Sequence, residues 1–122
     1  MFDNLKTMGA MAGLLKNKER LKEITDRFQE KLERMHVTGT AGGSAVRVTV
    51  TGKMRVTEVY LDPSLATGMS AGDSGREMAQ ALIAEATNDA MERVQVMIRD
   101  EAEREARELG LPGLPGLDGL LN

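Results

Sequence analysis

The chain has 122 residues, 41% hydrophobic, 29% charged and only 2% aromatic, with nine Met and no Cys. Such a composition suits one soluble domain and excludes a disulfide framework, a cysteine metal site and a thiol nucleophile. Net charge is −3, which argues weakly against nucleic acid, but the charge is unevenly spread.

Residues 1–36 carry eight Lys/Arg against six Asp/Glu, residues 37–72 three against two, and residues 73–122 five against eleven. The first two thirds are mildly basic and the last third is acidic. In the opening "MFDNLKTMGAMAGLLKNK", Asp3 precedes Lys6, and Lys16 and Lys18 follow a short apolar patch. No signal peptide is expected from that order. No apolar run reaches membrane-spanning length, so the chain reads as cytoplasmic with no membrane partner.

From about Leu14 to Met35, apolar residues Leu14, Leu21, Ile24, Phe28, Leu32 and Met35 recur on one helical face, uninterrupted by Pro or Gly. Residues 37–61 change period. Val46, Val48 and Val50 alternate with Arg47, Thr49 and Thr51, the pattern of a half-buried strand. Upstream, "HVTGT" forms a short first strand that turns through Gly42-Gly43. Downstream, Thr51–Lys53 turns into a third strand, "MRVTEVYL". Val59 and Leu61 share a face there and Tyr60 takes the other. Val56 is out of phase with Val59, which predicts a bulge near Thr57.

Asp62-Pro63 stops the strand, and "DPSLATGMSAGDSG" is expected to be loop. Ser74-Gly75-Arg76-Glu77 has the form of a capping box. A long helix follows to about Leu109, with Ala79, Leu82, Ile83, Ala86, Ala90, Val94 and Met97 on one face. Beyond Ile98 its sequence is nearly all charge and Ala, with little to bury. Gly110 is the expected stop, and residues 110–122 form a Gly/Pro/Leu tail, extended and flexible after a single domain of residues 1–109.

The fold class is therefore α+β: long helix, three-stranded antiparallel β-meander, long helix. A strand of eight residues covers about 26 Å, so both helices overshoot the sheet. A core so poor in rings is small for the chain length. Together these features predict an intertwined homodimer with projecting helical arms.

Catalytic chemistry is thin. His36 is the only histidine, placed where the first helix ends, and no second His or Cys can complete a metal site or a His-based triad. The glycine segment fails the phosphate templates. "GTAGGS" is not G-x-G-x-x-G and leads into a strand, and Gly52-Lys53 is followed by Met54 where a P-loop needs Ser or Thr. Its glycines are expected to serve turns through positive φ.

What remains is a basic stripe. Lys16, Arg20, Arg27, Lys31 and Arg34 fall within about 60° of one another on the first helix. An acidic stripe of Glu19, Glu23, Asp26, Glu30 and Glu33 runs beside it. One reading is a salt-bridged surface with Glu23–Arg27 and Glu30–Arg34 as i,i+4 pairs. The other is a surface that tracks the DNA backbone, with Arg47, Lys53 and Arg55 adding to it from the sheet.

Several strings then meet a known family. "MF", the Lys/Glu-rich amphipathic helix, "VTGTAGGSAVRVTVTGK", "VYLDPSL", "ATNDAMERV" and "GLPGLPGL" follow one another in that order. By order and spacing, over nearly its whole length, the chain resembles the YbaB/EbfC family of bacterial nucleoid-associated proteins. That resemblance implies a tweezer-like homodimer that binds double-stranded DNA with modest sequence preference, in nucleoid organisation or gene regulation. It implies no enzyme activity and no cofactor. Gene neighbourhoods in the family imply a recombination or replication protein as a further partner. The family's DNA contacts are spread over helices, so a surface is carried over rather than single residues. Here the last helix is acidic after Ile98, which turns the expectation to the first helix. The competing reading is a protein-interaction adaptor that holds a partner with its arms or its Leu-rich tail, without touching DNA.

Overall fold

The computed structural model describes residues 2–110, with side chains from Lys16 onward; the expected tail lies almost wholly outside the described residues. The chain separates into two units, Met1–Lys31 and Leu32–Asn122.

The first unit is helical. It belongs to α1, Phe2–Arg34, a helix of 33 residues that starts well before the expected Leu14. The opening is rich in Ala, Leu, Met and Lys, whose helix propensity outweighs the cost of Gly9 and Gly13. None of the described side chains of α1 is buried, and Leu21 of its apolar stripe is 62% exposed.

The second unit holds the sheet. Strands β1 (His36–Ala41), β2 (Val46–Thr51) and β3 (Val56–Leu61) form an antiparallel meander in the order β1-β2-β3. Helices α2 (Pro63–Ser70) and α3 (Asp73–Glu108) follow, and α3 packs on β1 and β2. Val46, Val48 and Val50 are fully buried, which bears out their alternation with Arg47 and Thr49. The bulge is where the phase slip put it: Thr49 pairs with Glu58 and Val50 with Val56, leaving Thr57 as the extra residue.

Cross-strand partners share a face. Val59 pairs with Val48 and Leu61 with Val46, so β3 turns its apolar residues to the same side as the valine core. Val56 and Val59 nonetheless stay 47% and 48% exposed, at the edge of the sheet away from β1.

The glycines divide by role. Gly42 and Gly43 have φ of 63° and 65° and make the β1–β2 turn as expected. Gly39 does something else. A Cβ there would lie 2.2 Å from the backbone nitrogen of Ala90 and 2.4 Å from the carbonyl oxygen of Ala86. The strand and α3 touch backbone to backbone at that point, and only glycine permits it.

Three expectations on the C-terminal half need correction. The supposed loop contains α2. Asp62 caps it by accepting from the backbone N–H of Ser64, and Pro63 occupies the first turn. Asp-Pro both ends the strand and starts a helix, because Pro needs no N–H partner there.

The capping box is not formed. Helix α3 begins at Asp73, one residue before Ser74, and its N-cap Gly72 supplies no side chain. Asp73 gives the first turn its negative charge and pairs with Arg76 instead.

Burial does not stop at Ile98. From Ala86 the buried ridge recurs every fourth residue, through Ala90, Val94, Ile98, Ala102 and Ala106, and Glu101 joins it at 7% exposed. Ile98 takes the inward position expected of Met97, which is 44% exposed. The charged residues of "RDEAEREARE" leave two alanines at i,i+4 spacing, enough for a continuous ridge. The helix ends as expected, with Gly110 at φ 72° donating to the Arg107 carbonyl.

Candidate nucleic-acid interface

On α1, Lys16, Arg20, Arg27, Lys31 and Arg34 are all exposed. Their common side follows from spacings of four, seven, four and three residues on a 3.6-residue turn. The i,i+4 pairs Glu23–Arg27 and Glu30–Arg34 are not among the ion pairs of the described residues, which include Lys53–Glu33, Arg76–Asp73, Arg93–Asp89 and Arg104–Glu101. Lys16, Arg20, Arg27 and Arg34 thus carry charge that no ion pair among the described residues offsets.

The three sheet cations are placed differently from one another. Arg47 points to the side of the sheet opposite the valines. Its guanidinium lies 4.1 Å from the ring centre of Tyr60, its cross-strand partner. Its charge also reaches Asp62, whose carboxyl is held below the usual range chiefly by hydrogen bonds from the Ser64 hydroxyl and backbone N–H. Arg47 is therefore partly engaged within the fold.

Lys53 sits on the β2–β3 turn, beside the C-terminal end of α1. The Gly52 N–H donates to the carbonyls of Leu32, at 2.9 Å, and Met35, at 3.2 Å. That contact sets the Lys53 ammonium 2.9 Å from Glu33 Oε1. The hydrogen bond from Lys53, with its charge, holds the Glu33 carboxyl below its ordinary range.

Arg55 is exposed; its carbonyl accepts from the Thr51 N–H at 2.8 Å. His36 serves the helix terminus, donating through Nδ1–H to the Arg34 carbonyl at 3.0 Å.

The structure also gives the Asn88-Asp89-Ala90 triplet a physical role. Asp89 accepts from the Thr40 N–H of β1 at 2.9 Å and from Arg93 on its own helix. Ala90 meets Gly39 at the backbone contact. The triplet bolts α3 to the edge of β1. The open cleft beside it, about 710 Å³, is lined by Thr40, Glu85, Asn88, Asp89, Glu92 and Arg93. Its acidic lining would repel phosphate. Nothing in the sequence pairs Asp89 with Thr40 or Glu33 with Lys53, because both contacts span long stretches of chain.

No group of His, Cys, Asp and Glu suited to a metal ion occurs among the described residues. No helix there is long and apolar enough to cross a membrane.

Taken together, the fold and these surfaces define a small α+β protein whose long first helix presents a row of exposed cations. Comparison with known proteins sharpens that class. The chain belongs to the YbaB/EbfC DNA-binding family, whose model matches residues 8–109. A nucleoid-associated protein of Pseudomonas fluorescens (strain Pf0-1) is 39% identical over 87 residues, 71% of this chain and 76% of that relative. One from Xanthomonas oryzae pv. oryzae (strain MAFF 311018) is 39% identical over 92 residues, 75% of this chain and 80% of the relative. The fold also matches the crystal structure of an uncharacterized protein from Helicobacter pylori. The TM-score is 0.59 at 23% identity, over 77% of this chain and 90% of that one. The resemblance read from the ordered strings is this family membership.

Proposed function

We propose that this protein binds double-stranded DNA as a homodimer in the bacterial nucleoid, with low sequence specificity and no catalytic step. The observation that carries the reading is the exposed set Lys16, Arg20, Arg27 and Arg34, on one side of α1 and outside every ion pair among the described residues, in a chain of a DNA-binding family. Cations spaced along a helix meet phosphates without reading bases, which favours affinity over specificity. Lys31 continues the stripe on α1; on the sheet, Arg55 is exposed, whereas Arg47 and Lys53 are already engaged with Tyr60 and Glu33.

Uncovered apolar surface supports the dimer. The α1 stripe of Leu21, Ile24 and Phe28 has no buried member, and Val56 and Val59 lie open on β3. A second copy would cover such surface and double the basic stripe.

A gel-shift titration on arbitrary duplex DNA at two salt concentrations tests the reading. Binding should fall steeply as salt rises. The triple charge reversal Lys16→Glu, Arg20→Glu, Arg27→Glu should abolish the shift while leaving the dimer mass unchanged. A normal shift by the triple variant would show that the assigned surface is wrong. Absence of any shift by the wild type at low salt would favour the adaptor reading, for which α3 offers exposed Met78, Val96 and Met97 among acidic residues.

A further inference from the structure

We propose that Glu33 is a built-in competitor for Lys53. Its carboxylate holds the ammonium until a DNA phosphate replaces it, and so sets how much phosphate the protein engages at a given salt concentration. The inference rests on the DNA-binding reading above.

The pairing follows from a fixed backbone. Gly52 is buried against the end of α1, and a Cβ there would lie 2.6 Å from the Leu32 carbonyl oxygen. Within the turn, the Met54 N–H donates to the Thr51 carbonyl at 2.9 Å, and the Lys53 N–H to the Thr51 hydroxyl at 3.2 Å. Lys53 is therefore held at the helix end, where the negative end of the helix dipole favours a cation.

Glu33 runs against that preference. A carboxylate in the last turn of a helix faces the negative end of the dipole. Lys53 compensates for it, and the hydrogen bond between them holds the Glu33 carboxyl below its ordinary range. The pair remains open to exchange. The side chains are 35% and 61% exposed, so an incoming phosphate can reach the ammonium. Exposed ion pairs are weak and screened by salt. To a lysine, which acts as a point charge with rotatable donors, a phosphate oxygen and a carboxylate oxygen are alternative acceptors.

The test measures DNA affinity against salt for the wild type, Glu33→Gln, Lys53→Gln and the double variant. Glu33→Gln should tighten binding about three- to tenfold at low salt and steepen the log–log salt slope by about 0.9, the contribution of one phosphate contact. The steepening should vanish in the double variant, because it needs the Lys53 ammonium. A slope for Glu33→Gln equal to that of the wild type would overturn the inference. So would a steepening that persists without Lys53, since that would be a general charge effect. If the wild type does not bind DNA at all, the DNA-binding reading itself falls, an outcome distinct from normal binding with an unaltered Glu33→Gln slope.

Discussion

Helices α1 and α3 have nearly equal lengths, 33 and 36 residues, and opposite burial. None of the described side chains of α1 is buried, whereas α3 buries eight residues. The difference does not follow side-chain hydrophobicity. The exposed or half-exposed stripe of α1 is made of Leu21, Ile24, Phe28 and Leu32, while five of the eight residues buried on α3 are alanines. Small residues let a helix come close to a sheet, and Gly39 completes the approach from the strand side. A stripe of large apolar residues left half-exposed is the informative exception, because contiguous apolar surface of that kind is what a binding partner would cover. Helix α3 is thus packed on the sheet, while the described part of α1 carries an exposed or half-exposed apolar stripe and a basic one.

Breaking the contact of α3 with the sheet should have the largest effect. Gly39→Val drives a branched side chain into the backbone of Ala86 and Ala90, which cannot rotate aside. A loss of about 3 kcal/mol is expected, seen as a fall of roughly 10 °C or more in the CD melting temperature. A melting temperature close to that of the wild type would mean that α3 does not ride on β1 at this point.

The complementary change attacks the apolar stripe of α1. If the proposed dimer forms through this stripe, Ile24→Asp with Phe28→Asp should weaken it at least about a hundredfold by removing apolar burial. Light scattering should then report half the wild-type mass, with sheet and α3 signals kept in the CD spectrum. An unchanged mass would place the dimer contact elsewhere, with β3 as the next surface to test.

The smallest effect concerns the Asp89 bolt. Its carboxyl is held below the ordinary range first by the Thr40 N–H and then by Arg93. A depressed carboxyl contributes stability that is present above the ordinary Asp value of about 3.9 and is lost as pH falls through the lower folded value. Asp89→Ala should lower the melting temperature by about 3–5 °C at pH 7. The gap from the wild type should close as pH drops below about 4, the ordinary Asp value. A gap that does not vary with pH would mean that the carboxylate's charge plays no part in the contact.

Much of this fold is legible in the sequence, for reasons that differ along the chain. The period-two valines of β2 and the phase slip at Thr57 are local consequences of pleat and register, and both are readable. Family membership is readable because ordered strings survive where single motifs are weak. The helix after Asp62-Pro63 escapes a reading of Pro only as a stop, although Asp at the cap and Pro in the first turn also open helices. The capping-box pattern falls one residue late, because Asp73 lies just ahead of a fitting string. The candidate interface is legible as a basic stripe on α1. The partners of two other cations are not legible: Glu33 for Lys53 and Tyr60 for Arg47. The first contact spans 20 residues and the second crosses a register that only strand pairing defines.

By itself the sequence determined the kinds and order of the main elements, the basic side of α1, the bulge, and the want of a second His or of any Cys. Those features depend on neighbours along the chain, through periodicity and propensity. The tertiary structure decided which apolar stripe is buried, why Gly39 must be glycine, and which cations are already engaged. Those depend on distances between segments far apart in sequence. There, a backbone approach that a single Cβ would block, or one carboxylate within hydrogen-bond reach, outweighs any local pattern.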